Sequence, residues 1–462
     1  MTLIKSISGI RGTIGGQAGD NLTPIDAVKF AAAYGVWVKQ QRPKDTYKVV
    51  VGRDARISGA MIQNLVMNTL VGMGIHVVDL GLSTTPTVEM AVPMEHADGG
   101  IILTASHNPK QWNALKLLNA KGEFLDAVQG AKILEIAESD HINFSDVDSL
   151  GKITKNKAYF DLHIIEVLDL PLVNVPAIED AKFKIVVDGV NSSGGVIIPL
   201  LLERLGVHVV KLYCDPNGEF PHNPEPLKEH LTDISKKVVE TEADLGIVVD
   251  PDVDRLAFID EKGEMFGEEY TLVACADYVL GRTPGNTVSN MSSTRALRDI
   301  TEKHGGKYEA SAVGEVNVVS LMKKNKVVIG GEGNGGIIYP ESHYGRDALV
   351  GIALFLSLLA DKNMKVSELR KTYPNYFMSK KKIELTPGLD VDGILKKMED
   401  RYQNEQTSTI DGVKIDFSES WVHLRKSNTE PIIRIYTEAK SQQEADALAD
   451  KFIEEIEVIA KN

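Results

Sequence analysis

Two stretches of the chain, ADGGIILTASHNP at residues 97–109 and ADLGIVVDPDVDR at residues 243–255, share an Ala-Asp-x-Gly-Ile opening and then diverge. In each, a short apolar run stops abruptly in polar residues. Ile101-Ile102-Leu103 gives way to Thr104-Ala105-Ser106-His107-Asn108-Pro109, and Ile247-Val248-Val249 to Asp250-Pro251-Asp252-Val253-Asp254-Arg255. A short continuous apolar run bounded by turn residues reads as a strand buried on both faces of a parallel sheet. Ligands of such sheets bind beyond the carboxyl ends of the strands, so both polar ends are places where chemistry is expected.

Working outward, the similarity extends upstream of both stretches. KVVVGRDARISG (48–59) precedes a helical pattern and then GMGIHVVDLG (72–81); KIVVDGVNSSGG (184–195) precedes another and then RLGVHVVKLY (204–213). A fainter third copy covers NTVSNMSSTRALRDITEKHGGKYEASAVG (286–314), followed by KVVIGGEGNGGII (326–338). Strands alternating with helices, repeated three times, predict three similar α/β domains with mixed, largely parallel sheets. Three equivalent loops of this kind could face one central cleft. After Tyr373-Pro374 the pattern changes to strand-helix-strand-strand-helix, ending in the acidic helix QEADALADKFIEEIEVIA, which predicts a smaller α+β domain on a short linker. The expected divisions are 1–153, 154–257, 258–373 and 374–462. The run SKKK (379–382) reads as a solvated face with no function assigned.

Composition narrows the function. A chain of 462 residues is too long for one core and suggests three or four domains. The content of 43% hydrophobic and 25% charged residues is that of a soluble globular protein. Two cysteines, Cys214 and Cys275, form no metal-ligand spacing or disulfide framework, which fits a reducing, cytoplasmic setting. MTLIKSISGIRG has no long apolar core of a signal peptide, and no stretch of about 18 apolar residues could span a membrane. A formal net charge of −14 argues against nucleic acid or an anionic membrane as partner. An anionic small ligand would need locally gathered basic groups.

Four loops carry candidate chemistry. Asp250, Asp252 and Asp254, at alternate positions after an apolar strand, can converge on a hard cation such as Mg²⁺ or Ca²⁺. Glu261 falls at position twelve of an EF-hand count from Asp250, but position six is Arg255 where glycine is required, so that reading fails. A solvated acidic turn is the competing explanation, and three like charges so close together disfavour it. Ser106 admits three readings: a hydrolase nucleophile, a strand terminator, or a phosphorylated serine whose oxygens complete the coordination left open by the aspartates. The first lacks a G-x-S-x-G elbow, and on an extended chain the neighbouring His107 points elsewhere. Lys116 would return on a neighbouring strand as a positive or proton-transferring group. Glu332 and Asn334, in GGEGNGG, suit sugar hydroxyls, although an ordinary flexible turn is an even alternative. Arg425, Ser427, Asn428, Thr429 and Arg434, in RKSNTEPIIR, form a plausible phosphate clamp or simply a charged hairpin.

TASHNP, DPDVDR, GEGNGG and RKSNTEP, in this order and spacing, resemble the α-D-phosphohexomutase family over the whole chain. The resemblance implies three similar α/β domains and a C-terminal domain around one cleft. It implies that Ser106 carries a phosphoryl group and that Asp250, Asp252 and Asp254 hold Mg²⁺ together with one phosphoserine oxygen. Arg11, in GIRG, and Lys116 would stand beside the reacting oxygen as general base or acid. Arg255 and His107 would support phosphoserine and substrate, Glu332 and Asn334 would read the sugar, and Arg425, Ser427, Asn428, Thr429 and Arg434 would clamp the phosphate not being transferred. The implied reaction moves phosphate between C6 and C1 of a hexose through a bisphosphorylated sugar, which also serves as activator. A last domain attached flexibly near Tyr373 would let the clamp accept either phosphate. A monomer or a homodimer is expected.

The sugar is less directly legible. Many glucose and mannose mutases of the family carry G-E-x-S-G-H, whereas those serine and histidine positions are Asn334 and Gly336 here. His343, in ESHYGRDA, is a candidate to replace the missing histidine. Asn334 and Ala312-Val313-Gly314-Glu315 resemble glucosamine-type members, favouring glucosamine 6-phosphate to glucosamine 1-phosphate over glucose or mannose phosphates. A metal-dependent sugar phosphatase and a non-catalytic sugar-phosphate sensor are the rival classes. The first would release inorganic phosphate; the second would have no reason to keep Ser106, Lys116 and three aspartates together.

Overall fold

In the computed structural model, strand Gly99–Leu103 is buried at every residue, with Tyr47–Arg53 parallel on one side and Trp112–Leu118 antiparallel on the other. The structure describes residues 2–6, 9–139, 142–384, 390–426 and 432–461. The paired glycines that open the strand have a steric cause. Tyr34, fully buried on helix Pro24–Gln41, donates its hydroxyl to the carbonyls of Gly100 and Leu118, and a Cβ on Gly99 would lie 2.0 Å from that oxygen.

The three repeats are real in topology. Each runs strand, helix, strand, helix, strand, strand. In the first these are Tyr47–Arg53, Gly59–Gly72, Ile75–Leu82, Thr85–Met94, Gly99–Leu103 and Trp112–Leu118. In the second they are Lys184–Asp188, Gly194–Arg204, His208–Leu212, Thr232–Glu240, Leu245–Val249 and Leu256–Asp260. The third has Thr287–Asn290, Ala296–Lys303, Tyr308–Ser311, Glu315–Asn325, Ile329–Glu332 and Gly336–Ile338. In all three the first strand lies between the second and third, parallel to both. The first sheet is extended to seven strands by Ile4–Ser6 and Gly9–Thr13 at one edge and Ile153–Lys155 at the other. Ile153–Lys155 and Leu256–Asp260 carry their sheets past the expected divisions at 153 and 257.

The chain forms two compact units, Met1–Thr271 with Gly335–Glu368, and Leu272–Asn334 with Leu369–Asn462. The third repeat is therefore divided. Its last part joins the first unit: Leu256 donates to the Gly335 carbonyl, Ala348 to that of Val253, and Phe355 stacks on Phe258 at 3.8 Å between centroids. Gly335 is left-handed (φ +81°), and a Cβ there would sit 2.0 Å from the Leu256 carbonyl oxygen, which accounts for part of the glycine-rich loop.

In the second unit the C-terminal domain is a five-stranded antiparallel sheet, in the order Phe377–Glu384, Ile432–Ala439, Trp421–Lys426, Val413–Asp416, Gln406–Ser408, backed by helices Val391–Arg401 and Gln442–Lys461. The two short strands Gln406–Ser408 and Val413–Asp416 are additional to the strand-helix-strand-strand-helix expectation. Gln406–Ser408 is wholly polar and only three residues long, so neither periodicity nor apolarity marks it. The SKKK run lies in the edge strand Phe377–Glu384, where lysines discourage further strand pairing. Near Tyr373, where a flexible attachment is expected, the last domain makes hydrogen bonds to the third repeat: Tyr376 donates to Asp299, Lys414 to the Met291 carbonyl, and the Arg295 amide to Glu438.

Candidate active site

At the lip of strand Gly99–Leu103 the chain turns sharply, and Ser106 adopts a left-handed conformation (φ 49°) while 6% exposed. A non-glycine residue held there is strained, a condition that concentrates at functional sites. The surrounding bonds over-determine it. The Ser106 amide donates to Thr104 Oγ1 (2.9 Å), whose own hydroxyl donates to Asp54 Oδ2 (2.7 Å). Arg56, with no exposed side-chain surface, pairs with Asp54 and donates to the carbonyls of Ser106, Asn108, Pro109 and Trp112. One guanidinium thus clamps the whole turn, as its planar fork of five donors allows.

The strain has a consequence for side-chain direction. Ser106 Oγ donates to Asp250 Oδ2 at 2.7 Å, joining the two stretches that share Ala-Asp-x-Gly-Ile. The expectation that His107 points elsewhere is corrected: its Nδ1 lies 3.4 Å from Ser106 Oγ, because the left-handed residue breaks the alternation of an extended chain. Burial, followed by the charges of Arg255 and Arg11, depresses His107 to about 2, so the ring is neutral at neutral pH.

Asp250, Asp252 and Asp254 are all fully buried, and each offers a carboxylate oxygen within 4.8 Å of the others. Val253, between two of them, is also left-handed (φ 64°) and buried. Asp250 Oδ1 accepts from the amides of Asp254 and Arg255. Burial and the neighbouring aspartates push Asp250 well above the usual carboxylate range. Burial also opposes ionisation of Asp252, but Lys116 and Thr85 outweigh it and hold it below that range. Asp252 Oδ1 and Asp254 Oδ1 are buried without a hydrogen-bond partner among the described residues. Hard oxygen donors of like charge, two of them orphaned, fit a divalent cation.

Lys116 returns on strand Trp112–Leu118, opposite Ile102, as expected. Its Nζ lies 2.7 Å from Asp252 Oδ2 and 3.5 Å from Asp254 Oδ2. Although burial alone would lower its pKa, these carboxylates raise it, so Lys116 is held as an ammonium in this arrangement. Arg11 donates to Asn108 Oδ1 (3.0 Å) and, through burial and the nearby Arg255 and Arg56, sits below its ordinary pKa. Arg255 pairs with Glu225 (3.0 Å), and its buried Nε has no partner among the described residues.

The remaining predicted residues belong to the second unit. Glu332 is 5% exposed, its Oε1 accepting from Asn290 Nδ2 (2.9 Å) and the Gly314 amide (3.1 Å); Asn334 is half-buried. Arg425 and Arg434 face each other across adjacent antiparallel strands, and Arg425 pairs with Asp411 (2.8 Å). Ser427, Asn428 and Thr429 lie outside the described residues.

Sequence reasoning passed over three contributors. Arg56 sits in GRDARISG, at the lip equivalent to the two highlighted ones, and that position was the available signal. Thr85 donates to Asp252 Oδ2 (2.6 Å), and Arg346 to Asp254 Oδ2 (2.7 Å). Neither has a local motif. His343, the candidate substitute for the missing histidine, directs Nε2 to Asp347 (3.2 Å) and Nδ1 to Glu89 (3.5 Å) rather than to the serine.

Comparison with known proteins agrees along the whole chain. Four family models described as phosphoglucomutase/phosphomannomutase match in order: alpha/beta/alpha domain I at residues 3–143, domain II at 159–263, domain III at 267–376, and the C-terminal domain at 378–455. The chain is 35% identical over 443 residues to a "Phosphoglucomutase/phosphomannomutase" of Thermococcus kodakarensis, covering 94% of this chain and 95% of that one. It is 31% identical over 451 residues to a "Probable phosphoglucosamine mutase" of Methanopyrus kandleri, covering 97% and 96%. A crystal structure of a phosphoglucomutase/phosphomannomutase family protein from Burkholderia thailandensis superposes with a TM-score of 0.85 at 25% identity, covering 99% and 98%.

Proposed function

The chain belongs to the phosphoglucomutase/phosphomannomutase family, and from that premise we propose that it is an intramolecular phosphotransferase interconverting hexosamine 6- and 1-phosphates, with glucosamine phosphate as preferred substrate. The observation that carries the reading is Ser106 Oγ at 2.7 Å from Asp250 in a site that also gathers Asp252, Asp254 and Lys116. In this reading Ser106 carries the phosphoryl group at rest. The free hydroxyl of the bound sugar phosphate attacks phosphorus, a new P–O bond forms as the P–Oγ bond breaks, and the hydroxyl proton leaves to a nearby base. The sugar bisphosphate then reorients and returns its other phosphate to Ser106, with the proton flow reversed. Escape of the bisphosphate leaves a dephosphorylated enzyme, which added bisphosphate rephosphorylates.

Catalysis of this kind is mostly positioning and charge neutralisation. Lys116, as an ammonium, suits the departing serine oxygen, as donor rather than base. Arg11, Arg255 and neutral His107 complete the surroundings of the transferred group. Asp250, Asp252 and Asp254 would hold Mg²⁺, which when bound polarises the phosphoryl group. Glu332 and Asn334 would read the sugar; Arg425 and Arg434, with Ser427, Asn428 and Thr429, would grip the distal phosphate. The carboxamide of Asn334, able to accept from an amine or donate to a hydroxyl, supports the glucosamine assignment. The named Thermococcus relative favours a second reading, turnover of glucose or mannose phosphates.

The test compares kcat/KM for glucosamine, N-acetylglucosamine, glucose and mannose phosphates, with a trace of the corresponding bisphosphate. The highest value is expected for glucosamine phosphate; a larger value for glucose or mannose moves the assignment to the second reading. Ser106→Ala should abolish turnover and remove the covalent phosphate from the purified protein's intact mass. Full activity in that variant, or sustained release of inorganic phosphate by the wild type, refutes the mutase reading.

A further inference from the structure

A buried polar chain lies behind the acidic loop, made of residues to which the proposed reaction assigns no role. His163, on helix Tyr159–Leu168, is 1% exposed. Its Nε2 lies 2.8 Å from Asp347 Oδ2, and its Nδ1 2.8 Å from Thr87 Oγ1. Thr87 Oγ1 continues to Thr84 Oγ1 at 2.6 Å. Burial alone would raise Asp347, but His163 and His343 hold it well below the usual carboxylate range. An ionised carboxylate only accepts, so Nε2 of His163 carries the hydrogen donated to it.

The two ends of this chain are the two supports of the acidic loop. Thr84 and Thr87 form the first turn of helix Thr85–Met94, where Thr84 caps the Thr87 amide. Thr85, between them, grips Asp252 twice: its hydroxyl donates to Oδ2 and its amide to the Asp252 carbonyl (2.9 Å). Asp347 caps helix Ala348–Lys362 through the Leu349 amide, and Arg346 beside it donates to Asp254 Oδ2. His163 therefore ties the segment that orients Asp252 to the segment that orients Asp254, alongside a longer bridge from His343 to Asp347 and to Glu89 of helix Thr85–Met94. The three segments are far apart in sequence, and no local propensity would set their spacing.

We propose that His163 is a positioning residue for the divalent-cation site: it fixes the separation of Thr85 and Arg346 and thereby the mutual aim of Asp252 and Asp254. The inference rests on the reading that the aspartates hold a divalent cation. Outer partners of metal ligands commonly change metal affinity by about 10–100-fold when removed. Packing alone would instead show as lost stability with unchanged affinity.

Binding of Mn²⁺ by the full chain, followed by electron paramagnetic resonance, separates these outcomes without requiring turnover. His163→Ala, checked for folding by circular dichroism, should raise the Mn²⁺ dissociation constant by up to about tenfold, the lower end of the effect of removing a direct partner of a metal ligand. KM for sugar phosphate at saturating Mg²⁺ should stay within about threefold of wild type, because no group that touches the sugar has changed. Thr87→Val, a milder cut of the same chain, should shift affinity in the same direction by less, and it decides the matter if His163→Ala does not fold. Combining Thr85→Val with His163→Ala should weaken binding by less than the product of the separate effects, since both act on Asp252. Unchanged Mn²⁺ affinity in a folded His163→Ala or in Thr87→Val overturns the proposal, as does a wild type that binds no Mn²⁺. A wild type that binds Mn²⁺ but isomerises no sugar phosphate overturns the mutase reading alone.

Discussion

Ser106 pays for its position with backbone strain, and that strain is measurable. A left-handed conformation costs an L-residue about 1–2 kcal/mol, whereas glycine adopts it freely. Ser106→Gly and Ser106→Ala should both be inactive, yet the glycine variant should be the more stable by about 0.5–1 kcal/mol after allowance for its unfolded-state entropy. Urea midpoints of the two variants check this, and an alanine variant as stable as the glycine one would show that the turn is not strained. The same geometry explains what the residue pattern concealed about His107. Reading Ser106-His107 as extended chain places the ring away from the serine, and the single positive φ brings Nδ1 to 3.4 Å from the hydroxyl.

Among the elements, strand Trp421–Lys426 illustrates how burial turns a histidine into a pH-dependent liability. His423 is 1% exposed, and burial, reinforced by Lys414, lowers it to about 4 even though it meets the Asp411 carbonyl. The unfolded side chain titrates near 6.5, so between about 6.5 and 4 the unfolded state binds more protons than the native one. The stability associated with neutral His423 is therefore present above about pH 6.5 and lost as pH falls toward its folded value. His423→Gln should flatten the acid side of a plot of urea midpoint against pH; parallel curves for wild type and variant would refute the assignment. The helix ends argue similarly. Asp347 and Thr84 are ordinary caps by local chemistry, and only the company of Arg346 and Thr85 makes them supports of the acidic loop.

For the molecule as a whole, a net charge of −14 sets the background against which an anionic sugar phosphate must be held. Binding of a divalent cation to the buried aspartates should stabilise the native state by mass action, by about 2.7 kcal/mol at a concentration 100 times the dissociation constant. Added Mg²⁺ should accordingly raise the thermal midpoint, and Asp252→Asn should remove most of that rise. An equal rise in the variant would place the cation elsewhere.

The division of information between sequence and structure follows the same scales. Local order along the chain was enough for the repeats, because an apolar run ending in a polar turn is a property of consecutive residues, and three copies of it reveal one topology used three times. The same order marks the loops that hold Ser106 and the three aspartates, since each stands at the lip of a strand whose apolar run announces it. Strand Gln406–Ser408 carries no apolar residue to mark it, Val413–Asp416 is too short for its alternating Val413 and Ile415 to stand out, and the bonds that join the last domain to Asp299, Met291 and Arg295 leave no trace in the linker. Thr85, Arg346 and His163 belong to tertiary structure alone. Their roles depend on distances between segments remote in sequence, and those distances are set by packing, which no local pattern of residues records.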